Sequence, residues 1–496
     1  MRGRHEKQFF LGLAQPPRIL VTIRNFDVIV ALDRCPQFKD SPLAVKIYLI
    51  SPTHYTPDGN LVKSVHYWTS AITLPYLKAL TPPEHQVVFT DELMANVDVN
   101  TDADLIGITA MGPQIARAYD LADYFRARGK KVVMGGSWVS LNTEEALLHC
   151  DAIVKGEAEP VWKDLLDDVA SGRNIEGRIY ESEGWHSMVG LPRFDYTSLP
   201  LFRPDLFKKS RFYRMYFHWP VLASRGCPHP CEYCSVQTYY ERTFRSRPVE
   251  EVIEDLQTIK ALGGRRVLIL DDNPIGNVRY AKELFKAMIP LKMEWASQMT
   301  INIARNDELL DLAARSGCRS LSIGLESVTQ ENLEQIDKGF NKAQRFDEDL
   351  AKIRAKGIQV IALMMVGLDG DTTASFEKTR DFLVKNKLTF LKLFTPCPYP
   401  GTKYYDDMQK AGRILTKEWN KYDYGSPLIQ PTHMTPEEMM KGFDWLYKDF
   451  YSLPNIFRRM TPPPKGNYLE SAFYFIANLK IYQHMRRTKQ SWGTIS

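Results

Sequence analysis

The sequence predicts an α/β protein, with a Rossmann-like doubly wound unit, then a partial (β/α)6 barrel, then a helical C-terminal region. Three observations support this prediction. Short apolar runs alternate with helical patterns over most of the chain, which is typical of parallel sheets. A loop with three closely spaced cysteines, starting at Cys227, follows one of these runs. No apolar run reaches the ~18 residues that a membrane-spanning helix needs, so no such helix is expected.

The doubly wound unit is predicted at residues 45–190, after an N-terminal extension at residues 1–44 that is expected to be mostly peripheral. Its strand-like runs are residues 45–51, 86–89, 105–108, 131–134 and 152–154, and helical patterns cover residues 115–128 and 143–150. Gly135-Gly136 follow the fourth run, and Gly156-Glu157 follow the fifth. Ligands of doubly wound folds bind at the carboxyl ends of the strands. Gly135, Gly136, Gly156 and Glu157 are therefore candidate cofactor-binding residues.

The barrel is predicted at residues 217–400, after a linker at residues 191–216. Its strand-like runs are residues 220–223, 266–270, 293–301, 319–325, 359–368 and 388–396. Helical patterns lie between them, at residues 248–262, 277–289, 307–316, 342–356 and 373–386. Six β/α units are too few for a closed eight-stranded barrel, so a partial barrel is expected. Residues 401–496 are predicted to be helical, with a capping box at Thr435 and Glu438 that opens one helix.

Polar residues follow the predicted barrel strands. Asp271, Asp272 and Asn273 end the second strand, Gln298 lies on the third, and Glu326 ends the fourth. Catalytic groups of β/α barrels come from the carboxyl ends of the strands, and carboxylates and amides suit an ammonium group, a ribose and a sulfonium. Some of these residues could instead cap the helices that follow. Taken as a set, they predict a ligand site.

The cysteine loop places Cys227, Cys231 and Cys234 at CxxxCxxC spacing. Three thiolates can hold an iron–sulfur cluster that keeps one iron open to another ligand. A structural zinc site is the alternative, but it needs four protein ligands. The other cysteines are singletons, and His229 lies between two prolines. An odd count of seven cysteines, without a signal peptide, indicates a reducing cytoplasm rather than a disulfide framework.

This loop, with Tyr233 before its last cysteine, resembles the signature of the radical S-adenosylmethionine (radical SAM) superfamily. The resemblance implies that Cys227, Cys231 and Cys234 hold a [4Fe-4S] cluster whose open iron chelates the amino and carboxylate groups of S-adenosylmethionine. It also implies that Tyr233 lies near the adenine. The superfamily often has Gly-Gly-Glu after its second strand, whereas this chain has residues 271–273, Asp-Asp-Asn.

The N-terminal unit resembles the cobalamin-binding (B12-binding) domain that precedes the barrel in one radical SAM subfamily. Typical cobalamin domains offer a histidine to cobalt in a DxHxxG stretch. The candidate stretch, residues 91–96, contains no histidine, and His54 and His85 lie in other contexts. Some members of the subfamily without that histidine still hold cobalamin, so the resemblance leaves both a bound and an absent cobalamin open.

The barrel is similar to enzymes that modify bacteriochlorophylls, hopanoids or archaeal lipids. The resemblance implies a radical SAM enzyme that functionalises an unactivated C–H bond of a hydrophobic substrate. The missing histidine favours hydroxylation of a methyl group on a tetrapyrrole such as a bacteriochlorophyllide, that is, an oxidoreductase. The alternative is cobalamin-dependent C-methylation of a tetrapyrrole, lipid or natural-product precursor. A tRNA methylthiotransferase and a non-enzymatic iron–sulfur or zinc scaffold are further alternatives. A methylthiotransferase would carry a second cysteine group and a basic RNA-binding domain, and this chain has neither.

The expected partners are a hydrophobic small-molecule substrate and an electron donor such as flavodoxin or ferredoxin. A formal net charge of +5 is slight for 496 residues and does not indicate nucleic acid. The expected location is the cytoplasm. The aromatic and basic stretch at residues 468–487 is interpreted as a helix packed on the barrel, with peripheral membrane contact as the alternative.

Overall fold

The computed structural model describes residues 19–24, 27–32, 44–56, 59–63, 69, 71–182, 187–199, 218–461 and 468–488. The chain divides into two compact units, residues 1–44 and residues 45–496. In the first unit, β1 (Ile19–Arg24) and β2 (Asp27–Leu32) form an antiparallel pair. The sequence had indicated only an extension there, without strands.

The second unit begins with a six-stranded parallel sheet in the order β4-β3-β5-β6-β7-β8. Its strands are β3 (Lys46–Ser51), β4 (Gln86–Asp91), β5 (Leu105–Thr109), β6 (Lys131–Gly135), β7 (Ala152–Lys155) and β8 (Arg178–Glu181). The order reverses at β3, which places a topological switch point between β3 and β5. The five runs expected from the sequence are all strands. The sixth, β8, lies at the edge with only Tyr180 buried, so no apolar run marked it.

Helices cover both faces of this sheet, as a doubly wound fold requires. They are α1 (Thr73–Leu80), α2 (Ile115–Arg126), α3 (Ser137–Leu141), α4 (Thr143–His149) and α5 (Trp162–Ala170). Ile106 and Val132 pack on one side with Phe125 of α2. Leu105 and Val133, the adjacent residues on the same strands, pack on the other side among the residues of α5. Neighbouring residues of a strand point to opposite faces, so two apolar cores share one sheet.

The second six-stranded sheet is also parallel, in the order β9-β12-β13-β14-β15-β16. Its strands are β9 (Trp219–Val221), β12 (Arg266–Ile269), β13 (Glu294–Met299), β14 (Cys318–Glu326), β15 (Gln359–Met365) and β16 (Phe390–Phe394). A short antiparallel pair, β10 (Ser224–Gly226) and β11 (Phe244–Ser246), flanks the cysteine loop. The six strands follow one another in chain order across the sheet, which confirms the predicted partial (β/α)6 barrel.

The two faces of the barrel sheet differ in burial. On β14 and β16, Ile323 and Leu391 belong to the apolar core beneath the helices. The alternate residues point to the opposite face, which we call the lumen, and many of them are only partly buried, among them Ser322 and Phe390. The barrel therefore encloses a space on its inner face that side chains do not fully cover.

The helices around the barrel fall into two groups. Those of the barrel are α6 (Ser235–Tyr239), α7 (Val249–Ala261), α8 (Val278–Met288), α9 (Asp307–Arg315), α10 (Gln330–Gln335), α11 (Phe346–Ala355) and α12 (Ser375–Lys385). Those of the C-terminal region are α13 (Lys403–Lys410), α14 (Pro436–Phe450), α15 (Leu453–Met460) and α16 (Tyr468–Thr488). The capping box at Thr435 and Glu438 opens α14 as expected. Among the residues that the structure describes, no helix combines the length and apolarity needed to cross a membrane.

The C-terminal helices cover β16, the last strand of the barrel sheet. The Leu391 amide donates a hydrogen bond to the Tyr451 hydroxyl at 3.0 Å, which satisfies an edge group that has no neighbouring strand. Arg459 of α15 is 2 % exposed and donates to the carbonyls of Leu388 and Thr389. Asn478 of α16 accepts from Arg459 and donates to Thr389. Helix α16 is thus packed on the barrel through this face.

The described part of the predicted linker, residues 191–199, packs on the outside of the barrel. Tyr196 and Leu199 are buried in the same apolar core as Trp219 of β9. The Arg193 side chain forms an ion pair with Glu254 of α7. Residues 200–216 of the linker lie outside the described residues, and the predicted domain boundaries stay predictions.

Candidate cofactor site at the barrel mouth

The cysteine loop is held by its flanking strands. Pairing of β10 with β11 closes the segment that contains Cys227 to Cys234. Gly226 has φ of 84°, and a side chain there would collide with the Thr243 carbonyl, so this turn requires glycine. The Cys234 amide donates to the Cys231 carbonyl at 3.1 Å, which forms a tight turn. The three cysteines therefore lie on one constrained loop at the carboxyl end of β9.

The three thiols lie near one another, since Cys227 and Cys234 both contribute to the raised pKa of Cys231. Cys227, Cys231 and Cys234 are free thiols. Within the described ranges, no three His, Cys, Asp or Glu side chains converge as the ligands of one metal ion. A cluster needs no such convergence because each thiolate binds a different iron. Burial raises the pKa of the thiols, to about 12 for Cys231 and about 11 for Cys234. Loading a cluster must therefore release protons.

Residues 271–273, expected from the sequence to bind a cofactor, mostly brace the cysteine loop. Asp271 is 1 % exposed and accepts from the Ala223 amide at 2.8 Å and from the Ser224 hydroxyl. Asp272 accepts from the Gly226 amide at 3.0 Å. Both aspartates thus tie β12 to the strand that leads into the loop. Burial raises the pKa of Asp271 to about 7.

Asn273 is the member of this segment that approaches the cysteines. Its Nδ2 lies 3.7 Å from the Cys227 Sγ, within range of a hydrogen bond to sulfur. Its Oδ1 is buried and has no hydrogen-bond partner among the described residues. Buried polar atoms normally have a partner. An acceptor left open beside a cysteine fits a ligand with a donor group bound at the cluster.

Tyr233, Glu326 and Lys338 form a buried group across the mouth. Lys338 Nζ lies 2.6 Å from Glu326 Oε1 and 3.2 Å from the Tyr233 hydroxyl, and that hydroxyl donates to Glu326 at 3.1 Å. Glu326 has φ of 63°, in the left-handed region, where the pairing of β14 with β15 shifts register. A side chain on Gly324 would approach Lys338 Nζ to 2.7 Å. Strain of this kind is typical of functional sites.

Lys338 was not identified from the sequence. It lies 105 residues from Tyr233 along the chain, and no local spacing relates the two. Gln298, which was identified, does not join this group. It is exposed on the lumen face of β13 and pairs in register with Ser322, two residues before Gly324. It therefore lies deeper in the lumen than the tyrosine, glutamate and lysine.

The glycines at the edge of the doubly wound sheet have local roles. Gly136 has φ of 101°, and a side chain there would meet the Ala110 carbonyl. Gly156 has φ of 80°, and its carbonyl accepts from the Tyr239 hydroxyl of α6 at 2.6 Å. At Gly135 an added Cβ would find only ordinary contacts, the nearest at 3.4 Å. Glycine is therefore not sterically required at Gly135, where Val154 would be the neighbour of a side chain.

Glu157 bridges the two sheets instead of facing an open cleft. Its Oε1 lies 2.7 Å from Arg225 and its Oε2 lies 2.5 Å from Arg245, on the two strands that flank the cysteine loop. Arg225 also pairs with Glu159 at 2.7 Å. We call Glu157, Glu159, Arg225 and Arg245 the interdomain clamp. It holds the carboxyl edge of the doubly wound sheet against the cysteine hairpin.

The switch point of the doubly wound sheet carries a histidine. His54 follows β3, the strand at which the sheet order reverses. Burial lowers its pKa, although the nearby Asp423 opposes this, and the lowered pKa favours the neutral imidazole. The stretch considered from the sequence, residues 91–96, follows β4 instead, and Glu92 there pairs with Arg117. The switch-point crevice is where a doubly wound fold binds its ligand.

Comparison with known proteins agrees with this geometry. The radical SAM superfamily domain matches residues 221–383. The chain is 30% identical over 364 residues to the bacteriochlorophyllide d C-12(1)-methyltransferase of Chlorobaculum tepidum, covering 73% of this chain and 77% of that protein. It is 25% identical over 401 residues to the hopanoid C-2 methylase of Rhodopseudomonas palustris, covering 76% and 73%.

The fold resembles that of a solved radical SAM methyltransferase. The structure of TsrM from Kitasatospora setae, with cobalamin and a [4Fe-4S] cluster bound, superposes with a TM-score of 0.63 at 14% identity, covering 90% of this chain and 100% of that one. That likeness extends over both sheets. The chain belongs to the radical SAM superfamily, in the subfamily with an N-terminal cobalamin-binding-like domain, and is an enzyme whose cofactors are a [4Fe-4S] cluster and S-adenosylmethionine.

Proposed function

We propose that the protein is a cobalamin-dependent radical SAM C-methyltransferase that acts on a hydrophobic substrate, with a tetrapyrrole as the first choice. The observation that carries this proposal is the 30% identity to a bacteriochlorophyllide d methyltransferase over 77% of its length. A second bacteriochlorophyllide d methyltransferase, acting at C-8(2), is 29% identical over 367 residues. These relatives favour methyl transfer over the hydroxylation that the sequence alone had favoured.

The residues at the barrel mouth would hold the cluster and S-adenosylmethionine. Cys227, Cys231 and Cys234 are the proposed cluster ligands. When bound, the cluster and S-adenosylmethionine supply the one-electron chemistry that activates an unreactive C–H bond. The chain itself supplies an oriented loop, because Asp271 and Asp272 fix the backbone that enters it.

Three side chains suit the polar groups of S-adenosylmethionine. The open Oδ1 of Asn273 can accept from its amino group, and Lys338 can pair with its carboxylate. Tyr233, already hydrogen-bonded to Glu326, can flank the nucleoside. In the described structure, Lys338 is neutralised by Glu326 alone. A carboxylate arriving beside Lys338 would therefore compete with, or share, that ammonium group.

The proposed cobalamin site is the switch-point crevice above β3 and β5. Gly135 ends the neighbouring strand β6, and the interdomain clamp keeps this edge against the cysteine hairpin. His54 is the imidazole at this edge that cobalt ligation would use, and its neutral state suits a metal ligand. An electron donor such as flavodoxin or ferredoxin, a cytoplasmic location and the absence of nucleic acid stay predictions from the sequence.

The test is anaerobic turnover with labelled methyl donor. Reconstituted enzyme receives cobalamin, a reductant, trideuteromethyl S-adenosylmethionine and bacteriochlorophyllide. We expect the tetrapyrrole to gain a trideuteromethyl group, with S-adenosylhomocysteine among the products. The Cys231→Ser variant is the matched control, since it lacks one proposed cluster ligand and should give no product. If the tetrapyrrole instead gained one oxygen atom, traced with water that carries a heavy oxygen isotope, the result would support hydroxylation and contradict the proposal.

A further inference from the structure

One charged side chain in the lumen takes no part in the site described so far. Lys392 is the central residue of β16. Its neighbours Leu391 and Leu393 are buried in the core beneath the helices. Because successive residues of a strand point to opposite faces, Lys392 shares the lumen face with Phe390 and Phe394. The Phe394 side chain packs in the small apolar cluster that includes Tyr233.

Lys392 has no counter-charge among the residues that the structure describes. It has no hydrogen bond or ion pair with any described residue, whereas the other lumen lysine, Lys338, is paired with Glu326. Lys392 is accessible to solvent, yet the surrounding protein lowers its pKa by desolvation. A group that solvent reaches but protein surrounds lines a cavity. Its lumen neighbours on β15, among them Leu363 and Met365, are apolar.

The strand register places Lys392 at the same depth in the barrel as the buried group of Tyr233, Glu326 and Lys338. Lys392 pairs with Leu363, and Leu363 pairs with Gly324, against which the Lys338 and Glu326 head groups lie. Adjacent strands are about 4.8 Å apart, so the backbones of Gly324 and Lys392 are separated by about 10 Å. One row deeper, the Phe390 ring contacts Tyr474 of α16 with centroids 5.7 Å apart. The rings of Phe390 and Tyr474 therefore lie deeper in the lumen than Lys392. The Glu326 and Lys338 head groups lie two strands away from it.

We infer that Lys392 binds a carboxylate of the substrate, so that the enzyme acts on a hydrophobic acid and not on a neutral hydrocarbon. This inference rests on the proposed function. An apolar wall with one unpaired ammonium group recognises a molecule that is mostly apolar and carries one acid group, since a charge-assisted hydrogen bond is strong where solvent is scarce. A tetrapyrrole with a free propionate meets this description. A polycyclic hydrocarbon without an acid does not.

Binding measurements on the holoenzyme test this inference. The probes are a chlorophyllide with a free propionate and its methyl ester, and a pentacyclic triterpene acid and its methyl ester. The variants are Lys392→Met, which keeps the stem, and Lys392→Arg, which keeps the charge. Lys378→Met, an exposed lysine of α12, is the matched control. Affinity for S-adenosylmethionine is measured in parallel, because its own carboxylate is the second possible partner of Lys392.

We expect the wild type to bind at least one acid about 10-fold to 100-fold more tightly than its ester, the range typical of a hydrogen bond to a charged group. Lys392→Met should abolish that preference and leave S-adenosylmethionine affinity unchanged, and Lys392→Arg should retain most of it. Equal affinity for acid and ester, binding of neither pair, or a loss confined to S-adenosylmethionine would each overturn the inference. An acid preference without methyl transfer would refute the proposed function and leave the role of Lys392 intact.

Discussion

The interdomain clamp predicts that removing one buried charge, that of Glu157, lowers both the stability of the contact between the two sheets and the rate of methyl transfer. Glu157→Gln keeps the size of the side chain and removes its charge. In the wild type, Glu157 is 9 % exposed and contacts two guanidinium groups, on β10 and β11. After the change, Arg225 retains Glu159 at 2.7 Å, whereas Arg245 loses the carboxylate that it contacts at 2.5 Å.

The magnitude follows from burial. Breaking a buried ion pair by removing one partner costs about 3–5 kcal/mol, because the remaining charge stays desolvated. The side chain of Arg245 is 10 % exposed, and both arginines keep other contacts, so we expect the low end, about 3 kcal/mol. Since 1.36 kcal/mol corresponds to a factor of ten, opening of the two sheets from each other should become about 100-fold more frequent.

Hydrogen exchange of the holoenzyme measures this opening. Amides of β10, β11 and the segment after β7 should exchange faster in the variant, and those in the centre of β5 should not. Methyl transfer should fall while reductive cleavage of S-adenosylmethionine continues, because the two sheets no longer stay aligned. Asp167→Asn is the control, since Asp167 forms an exposed pair with Lys163 whose loss should leave stability and exchange nearly unchanged. Unchanged exchange at the hairpin in a folded variant would refute this reasoning.

Three further predictions concern single side chains. The pKa of Asp271 is raised to about 7 when folded and should be near 3.9 when unfolded. Between these two pKa values the folded state holds one more proton than the unfolded state. From pH 5 to pH 8 the wild type should therefore lose roughly 2–3 kcal/mol of unfolding free energy relative to Asp271→Asn, as measured by denaturant unfolding at both pH values. An equal pH dependence of the two proteins would contradict this. Lys338→Met should weaken S-adenosylmethionine binding about 10-fold to 100-fold, as loss of a charged hydrogen bond predicts. The absorption spectrum of the cluster should stay unchanged. If equilibrium dialysis gives equal affinity for the variant and the wild type, Lys338 does not bind S-adenosylmethionine. Arg459→Met should lower the free energy of unfolding by about 2–4 kcal/mol, because the carbonyls that Arg459 satisfies become unpaired. Arg458 is the exposed neighbour, and Arg458→Met should change the stability little in the same thermal scan.

The strands and the cysteine loop were predictable because their signals are local. Each buried strand is an apolar run a few residues long, and the thiols at Cys227 to Cys234 lie within one short segment. Strand β8 was missed since only one of its residues is buried. The β1–β2 pair was missed as well, and the extension expected at residues 1–44 contains it.

The site was only partly predictable because its contacts join distant segments. Lys338 meets Tyr233 across 105 residues, and Arg245 meets Glu157 across 88. The sequence placed Asp271 and Glu157 correctly at strand ends, but it could not tell a carboxylate that faces a ligand from one that accepts from a backbone amide. That distinction depends on which neighbours the folded chain brings within hydrogen-bond distance. The preference for hydroxylation had the same origin, since it rested on the absence of a histidine after one particular strand.

The cover on β16 has a consequence for how this protein is made. The strand begins at Phe390, while Asn478, which donates to the carbonyl just before it, is translated 89 residues after that carbonyl. A nascent chain therefore leaves the ribosome with this strand edge uncovered, and such edges invite pairing with other chains.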